Sequence, residues 1–137
     1  MPAHYPLIDV KKLVEEELND SSAGKVIFSA KSRSINAVIA VHKNLKGHRM
    51  TSEKAAQFIL YRLLEIQERD FCKTKVGQWD DPHFIVDQYG FSYEGVSYFI
   101  KFRIDSQSGE LDEISFHPLE KDMILESGVT LKAQGGV

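Results

Sequence analysis

The sequence predicts an α+β domain, with N-terminal helices packed on a curved antiparallel sheet of three to four strands. Two observations carry that prediction. In the first half, Ala56, Ile59, Leu60, Leu63 and Leu64 recur at the i, i+3, i+4, i+7, i+8 spacing of an amphipathic helix. After residue 84, three runs rich in β-branched and aromatic residues are separated by turn-forming clusters. Helices first and a strand meander afterwards is the α+β order.

Each element has its own signal. Asp9 is a good N-cap for a helix over residues 10–19, where Val10, Leu13, Val14 and Leu18 make one apolar stripe and Glu15 to Glu17 mostly face water. The Asn19-Asp20-Ser21-Ser22-Ala23-Gly24 run ends it. Residues 25–30 read as a short strand rich in Val, Ile and Phe. Ser32 or Ser34 can cap a second helix through Asn44, although Ala37-Val38-Ile39-Ala40-Val41 also fits a strand. Thr51 caps the strongest helix, which bends near residues 67–70 and closes in a short final turn carrying Phe71 and Lys73. Trp79-Asp80-Asp81-Pro82 is a loop, since proline restricts its predecessor and lacks a donor. Three antiparallel strands follow, joined by turns at Tyr93-Glu94-Gly95 and Asp105-Ser106-Gln107-Ser108-Gly109.

With 137 residues, 42% hydrophobic and 27% charged, the chain suits one domain over residues 1–132 and a flexible tail over 133–137. It holds no apolar run near the roughly 20 residues of a membrane span, and no secretory signal is visible. A single cysteine, Cys72, forms no internal disulfide and suggests a reduced, cytoplasmic setting. A net charge of −3 counts against nucleic-acid binding, but the charge is polarised. Residues 21–52 carry no Asp or Glu and hold Lys25, Lys31, Arg33, Lys43, Lys46 and Arg49, a charge of +6. The remaining 11 Lys/Arg face 20 Asp/Glu, or −9, so a basic face remains possible beside a solvated loop.

Alternation in the strand over residues 95–104 puts Val96, Tyr98, Ile100, Phe102 and Ile104 on one face and Ser97, Phe99, Lys101 and Arg103 on the other. Tyr98 then falls on the core side unless a bulge re-aims it. In the last strand, Ile114 and Phe116 face the core and Glu113, Ser115 and His117 face out. Asp80, Asp81 and His83 resemble turn residues more than a metal set. His42 and His48 read as loop residues that could touch phosphate, and Trp79, Phe84 and Tyr89 as packing residues that could stack on bases. Cys72 suits helix packing rather than nucleophilic chemistry.

Three patches resemble the MqsR-type mRNA interferase toxins of the RelE-like ribonuclease group. Pro6-Leu7-Ile8-Asp9-Val10-Lys11-Lys12-Leu13-Val14 with Ala23-Gly24-Lys25-Val26 is similar to the family's first helix and strand entry. Asp70-Phe71-Cys72-Lys73 is similar to its Asp-Phe-Tyr-Lys helix end. Asp87-Gln88-Tyr89, Gly95, Tyr98 and Ile114-Ser115-Phe116-His117 resemble its Asp-x-Tyr, Gly-x-x-Tyr and Val-Ser-Phe-Lys segments. Together the patches cover about half of the chain.

The resemblance implies a RelE-like fold and a bacterial toxin that cuts single-stranded RNA without metal or cofactor and is silenced by an antitoxin protein. Carried over, the family's catalytic groups match Lys73, Tyr98 and His117, the last replacing a lysine; the cationic strand face adds Lys101 and Arg103, and the acid-free basic stretch adds Lys43, Lys46 and Arg49, as RNA contacts. Histidine titrates near neutral pH and preserves proton transfer there. The family's glutamine matches Val86, so that role is absent. A one-residue shift pairs Phe99 with the family tyrosine and Lys101 with a family lysine, removing the tyrosine hydroxyl. The segment before Asp70 is longer than in the family pattern, and the chain is acidic where most members are basic. These departures keep a non-catalytic binding or regulatory module on the same fold open beside the enzyme.

Overall fold

The structure is a computed structural model that describes residues 3–77 and 80–133. The role expected of Trp79 and the tail from residue 134 lie outside the described residues.

The first helix, α1, spans Leu7–Asn19 and begins earlier than Asp9 would dictate. The Pro6 carbonyl accepts from the N–H groups of Asp9 at 3.0 Å and Val10 at 3.2 Å. Asp9 therefore sits within the first turn, where a carboxylate meets the positive end of the helix dipole. Strand β1 is only Val26–Ile27, shorter than the expected strand, because the chain leaves at Ser29 to start α2, Arg33–Lys46. The Val/Ile run is thus helical, burying Val38 and Ile39. Ser32 does not cap it; Ser29 does, its Oγ accepting from the Ser34 N–H at 3.0 Å. Lys31 and Ser32 precede the helix at φ 60° and 54°, left-handed values that side chains adopt at a cost. Helix α3, Ser52–Glu65, is capped as expected, with Thr51 Oγ1 accepting from the Lys54 N–H at 3.1 Å. Its buried face is Ala55, Ile59, Leu60 and Leu63.

One sequence expectation is overturned here. The segment carrying Phe71 and Lys73 is not a helix end but strand β2, Phe71–Val76. A short turn over Glu68–Asp70 separates it from α3, closed by the Gln67 N–H donating to Asp70 Oδ2 at 2.8 Å. The meander follows as β3 Ile85–Tyr93, β4 Val96–Ile104 and β5 Leu111–Pro118. Glu94 at φ 49° and Gly95 at φ 81° make the two-residue turn whose twist matches antiparallel strands.

The main sheet has five strands in the order β1-β5-β4-β3-β2, not three to four. All pairs are antiparallel except β1 with β5, which run parallel. A two-stranded hairpin, β6 Met123–Ile124 and β7 Thr130–Leu131, completes this α+β fold. No helix among the described residues is long and apolar enough to cross a membrane.

The inner face of the sheet meets the helices and supplies Phe71, Tyr89, Tyr98, Ile100, Phe102, Leu111 and Phe116 to the core. Asp87 is fully buried at this layer's end and ties down the N-terminal segment, accepting from the N–H groups of His4 at 3.0 Å and Tyr5 at 2.8 Å and from Thr74 Oγ1. The outer face carries the small hairpin, whose Met123, Leu125 and Leu131 pack with Leu119, Cys72 and Phe99. Gly90 permits that approach: a Cβ there would lie 2.6 Å from Met123 Sδ and 2.7 Å from Leu131 Cδ1.

The register slips by one residue between β4 and β5, where Lys101 pairs with Ser115 but Phe102 pairs with Glu113. Ile114 is the extra residue of this bulge, and simple alternation fails below it. Glu113, expected to face out, is turned inward and is 1% exposed.

Candidate functional site

A hollow of about 710 Å³ lies between the outer face of the sheet and the segment leading into the hairpin. Its side chains come from four neighbouring strands: Cys72 and Lys73 from β2, Gln88 from β3, Phe99 from β4 and His117 from β5. Residues 119–124 roof it. The register explains the convergence, because Lys73 pairs with Gln88 and Phe99 pairs with His117. Three strand spacings of about 4.8 Å separate β2 from β5, roughly 14 Å between backbones. Lys73 and His117 therefore reach toward a common space from opposite sides, with Gln88 and Phe99 forming its floor.

The His117 ring is oriented by its surroundings. Its Nδ1 lies 2.8 Å from the Pro118 carbonyl oxygen, which can only accept. Nδ1 therefore carries the proton of the neutral ring, and Nε2 is left basic, 3.8 Å from Glu120 Oε1. The Phe99 ring lies alongside at 5.4 Å. Gln88 is 6% exposed and presents a neutral amide that can donate and accept. The Cys72 thiol donates to the Ile124 carbonyl at 3.4 Å, and burial raises its pKa, so it remains a packing group.

Lys101 lies one strand pair beyond the hollow, between Gln88 and Ser115. Burial, and then the positive charges of Lys75 and Arg33, hold its ammonium below the usual lysine pKa.

The other predicted residues stand elsewhere. Tyr98 is on the helix side, 3% exposed, its ring 4.9 Å from that of Phe116. Burial pushes its pKa up to about 12, and its hydroxyl belongs to the opposite face from Lys73 and His117. No bulge re-aims it: β3 and β4 stay in register through Phe91 and Tyr98, so alternation holds. Arg103 is committed to Asp112 at 3.0 Å and Asp105 at 3.6 Å, and its guanidinium covers the Phe84 ring at 4.3 Å. Lys43 and Arg49 are exposed around the C-terminal end of α2, and Lys46 there lies 4.0 Å from Glu94. None of these three lines the hollow. His42 and His48 stack edge-to-face at 4.8 Å in the same region. Asp81 serves its turn, Oδ1 accepting from the His83 N–H at 2.9 Å. Among the described residues no three His, Cys, Asp or Glu side chains converge as a metal set.

Gln88 was missed by sequence reasoning, which sought the family's glutamine at Val86. The signal was present: Asp87 and Tyr89 flank it, so strand alternation sends Gln88 alone to the other face. Glu120 and the roofing segment carried no such signal.

The fold is α+β with helices on one face of the sheet and a hairpin on the other. No protein-family model matches the chain, and no curated protein does.

Proposed function

We propose that the hollow is the phosphodiester site of a metal-independent endoribonuclease acting on single-stranded RNA. The observation that carries this reading is that Lys73 and His117, 44 positions apart in the chain, line one hollow together with Gln88. RNA supplies its own nucleophile, the ribose 2′-hydroxyl. The 2′ oxygen forms a new bond to phosphorus while the bond to the 5′ oxygen breaks, leaving a 2′,3′-cyclic phosphate and a 5′-hydroxyl. His117 Nε2 takes the proton of the attacking hydroxyl. The Lys73 ammonium and the Gln88 amide stabilise the charge gathering on the phosphate oxygens. The leaving 5′ oxygen takes a proton from Lys73 or from solvent.

Gln88 supplies here the polar contact that the family pattern locates two residues earlier. The resemblance in the three sequence patches extends the reading to a cytoplasmic bacterial toxin held inactive by an antitoxin protein.

A second reading, a non-catalytic RNA-binding module, is favoured by one observation. The floor position beside His117 is Phe99, which has no hydroxyl, while Tyr98 is buried on the other face.

Incubating the protein with single-stranded RNA in EDTA separates the two. The nuclease reading expects cleavage to cyclic-phosphate ends, lost in Lys73→Ala and His117→Ala and absent when the 2′-hydroxyls are methylated. Folded protein that binds RNA and leaves it intact establishes the binding module instead.

A further inference from the structure

We propose that Lys75, Lys101 and Arg33 form a second phosphate subsite, which holds the phosphate next to the one in the hollow on the same RNA strand. This deepens the reading of the hollow as a phosphodiester site and rests on it.

The placement comes from the register. Lys73 and Lys75 project from β2 two residues apart, a step of about 7 Å along the strand, comparable with the distance between neighbouring phosphates of an extended single strand. Lys73 pairs with Gln88 and Lys75 with Val86, so the second lysine stands beyond the hollow. Lys101 pairs with Gln88 from the other side and bridges the two positions. Arg33 begins α2, next to Ser34, whose hydroxyl is 2.9 Å from Glu113 on β5. From the start of α2, Arg33 is near enough for its positive charge to act on Lys101.

Among the described residues none of the three makes an ion pair. The β5 bulge explains why. Without it Glu113 would face out next to Ser115, the partner of Lys101, and would neutralise it. The slipped register takes that carboxyl inside, where it accepts from Ser34. The remaining acid of this stretch, Asp112, is held by Arg103 at 3.0 Å. Three like charges remain on a neutral floor of Val86 and Ser115. Their mutual repulsion is expressed in the depressed pKa of Lys101, after burial itself. An anion relieves that repulsion, which a nearby acidic side chain would otherwise do.

The test uses the full chain and uncleavable 2′-O-methyl oligonucleotides, so that it reads binding regardless of turnover. A dinucleotide carries one internal phosphate and a trinucleotide two. The second phosphate is expected to tighten binding about tenfold, as a charge-assisted contact does. It should also steepen the logarithmic salt dependence by about 0.7. Lys75→Ala, at an exposed position, should erase both gains and leave dinucleotide affinity within twofold; Lys101→Ala should erase them too and, because Lys101 flanks Gln88, weaken the dinucleotide as well. Lys75→Arg should keep them. Lys73→Ala should weaken both probes equally. Equal affinity of wild type for the two probes overturns the subsite, as does equal weakening of both probes by Lys75→Ala. Failure of both probes to bind overturns the subsite together with the phosphodiester reading of the hollow. A trinucleotide gain that depends on Lys75, without cleavage of unmodified RNA, keeps the subsite and removes only the nuclease.

Discussion

Replacing Glu113 with glutamine should stabilise the protein at pH 8 and change little near pH 4. The Glu113 carboxyl is 1% exposed, with Oε2 accepting from Ser34 Oγ at 2.9 Å and Oε1 from the Ser29 N–H at 3.5 Å. Burial is the largest influence and pushes its pKa from 4.5 to about 7, against the opposing pull of those two donors. Between these values the folded state holds a proton that the unfolded chain has released, so stability falls as pH rises through the window. The penalty is complete above about 7 and absent below 4.5. At about 1.4 kcal/mol for each pH unit, it amounts to on the order of 3 kcal/mol. Glutamine has the same shape, keeps an oxygen for the Ser29 N–H, and can donate to Ser34 Oγ. Loss of the charge-assisted hydrogen bonds returns about 1 kcal/mol of this, leaving a net gain of about 2 kcal/mol at pH 8. Urea unfolding of wild type and Glu113→Gln at pH 8, 6 and 4 measures the difference between them. The gap should close as pH falls. Destabilisation by the variant at pH 8, larger than at pH 4, would mean that the carboxylate is a net stabilising acceptor at the start of α2, and would refute the burial argument.

Three further outcomes follow from the same geometry. Gly90→Ala forces a Cβ against Met123 and Leu131 and should cost about 1–3 kcal/mol, with the displaced hairpin raising the reactivity of Cys72 toward a thiol reagent; an unchanged labelling rate would contradict the packing described. Tyr98→Phe should leave RNA cleavage within about twofold, since its hydroxyl lies on the helix side, whereas Gln88→Leu should lower it about 10- to 100-fold with little change in thermal midpoint. Asp87→Ala removes the buried acceptor of the His4 and Tyr5 N–H groups and of the Thr74 hydroxyl, and should cost about 1–3 kcal/mol in denaturant unfolding.

Local signals were enough for α1, α3 and the β3–β5 meander. Thr51 caps its helix in the structure as its sequence context indicates, and Glu94-Gly95 makes the expected tight turn. The outward positions of Lys101 and His117 followed from alternation alone, as did the inward position of Tyr98. Other features had no local signature. The Phe71–Val76 segment is short and weakly patterned, and a motif likeness drew it toward a helix end; it becomes a strand by pairing with β3. The two-residue β1 exists only against β5, across more than 80 positions of chain. In α2, burial of Val38 and Ile39 against the rest of the core decided between helix and strand.

What the sequence alone determined is the α+β order, the two best helices and the side of the meander on which each strand residue above the bulge falls. These depend on periodicity and capping, which act over a few residues. Tertiary structure decided the rest: the fifth strand that carries Lys73, the hollow shared with His117, the hairpin over Gly90, and the bulge that hides Glu113 and leaves Lys101 uncompensated. Each depends on which distant segments pair and in what register, and no run of neighbouring residues encodes that.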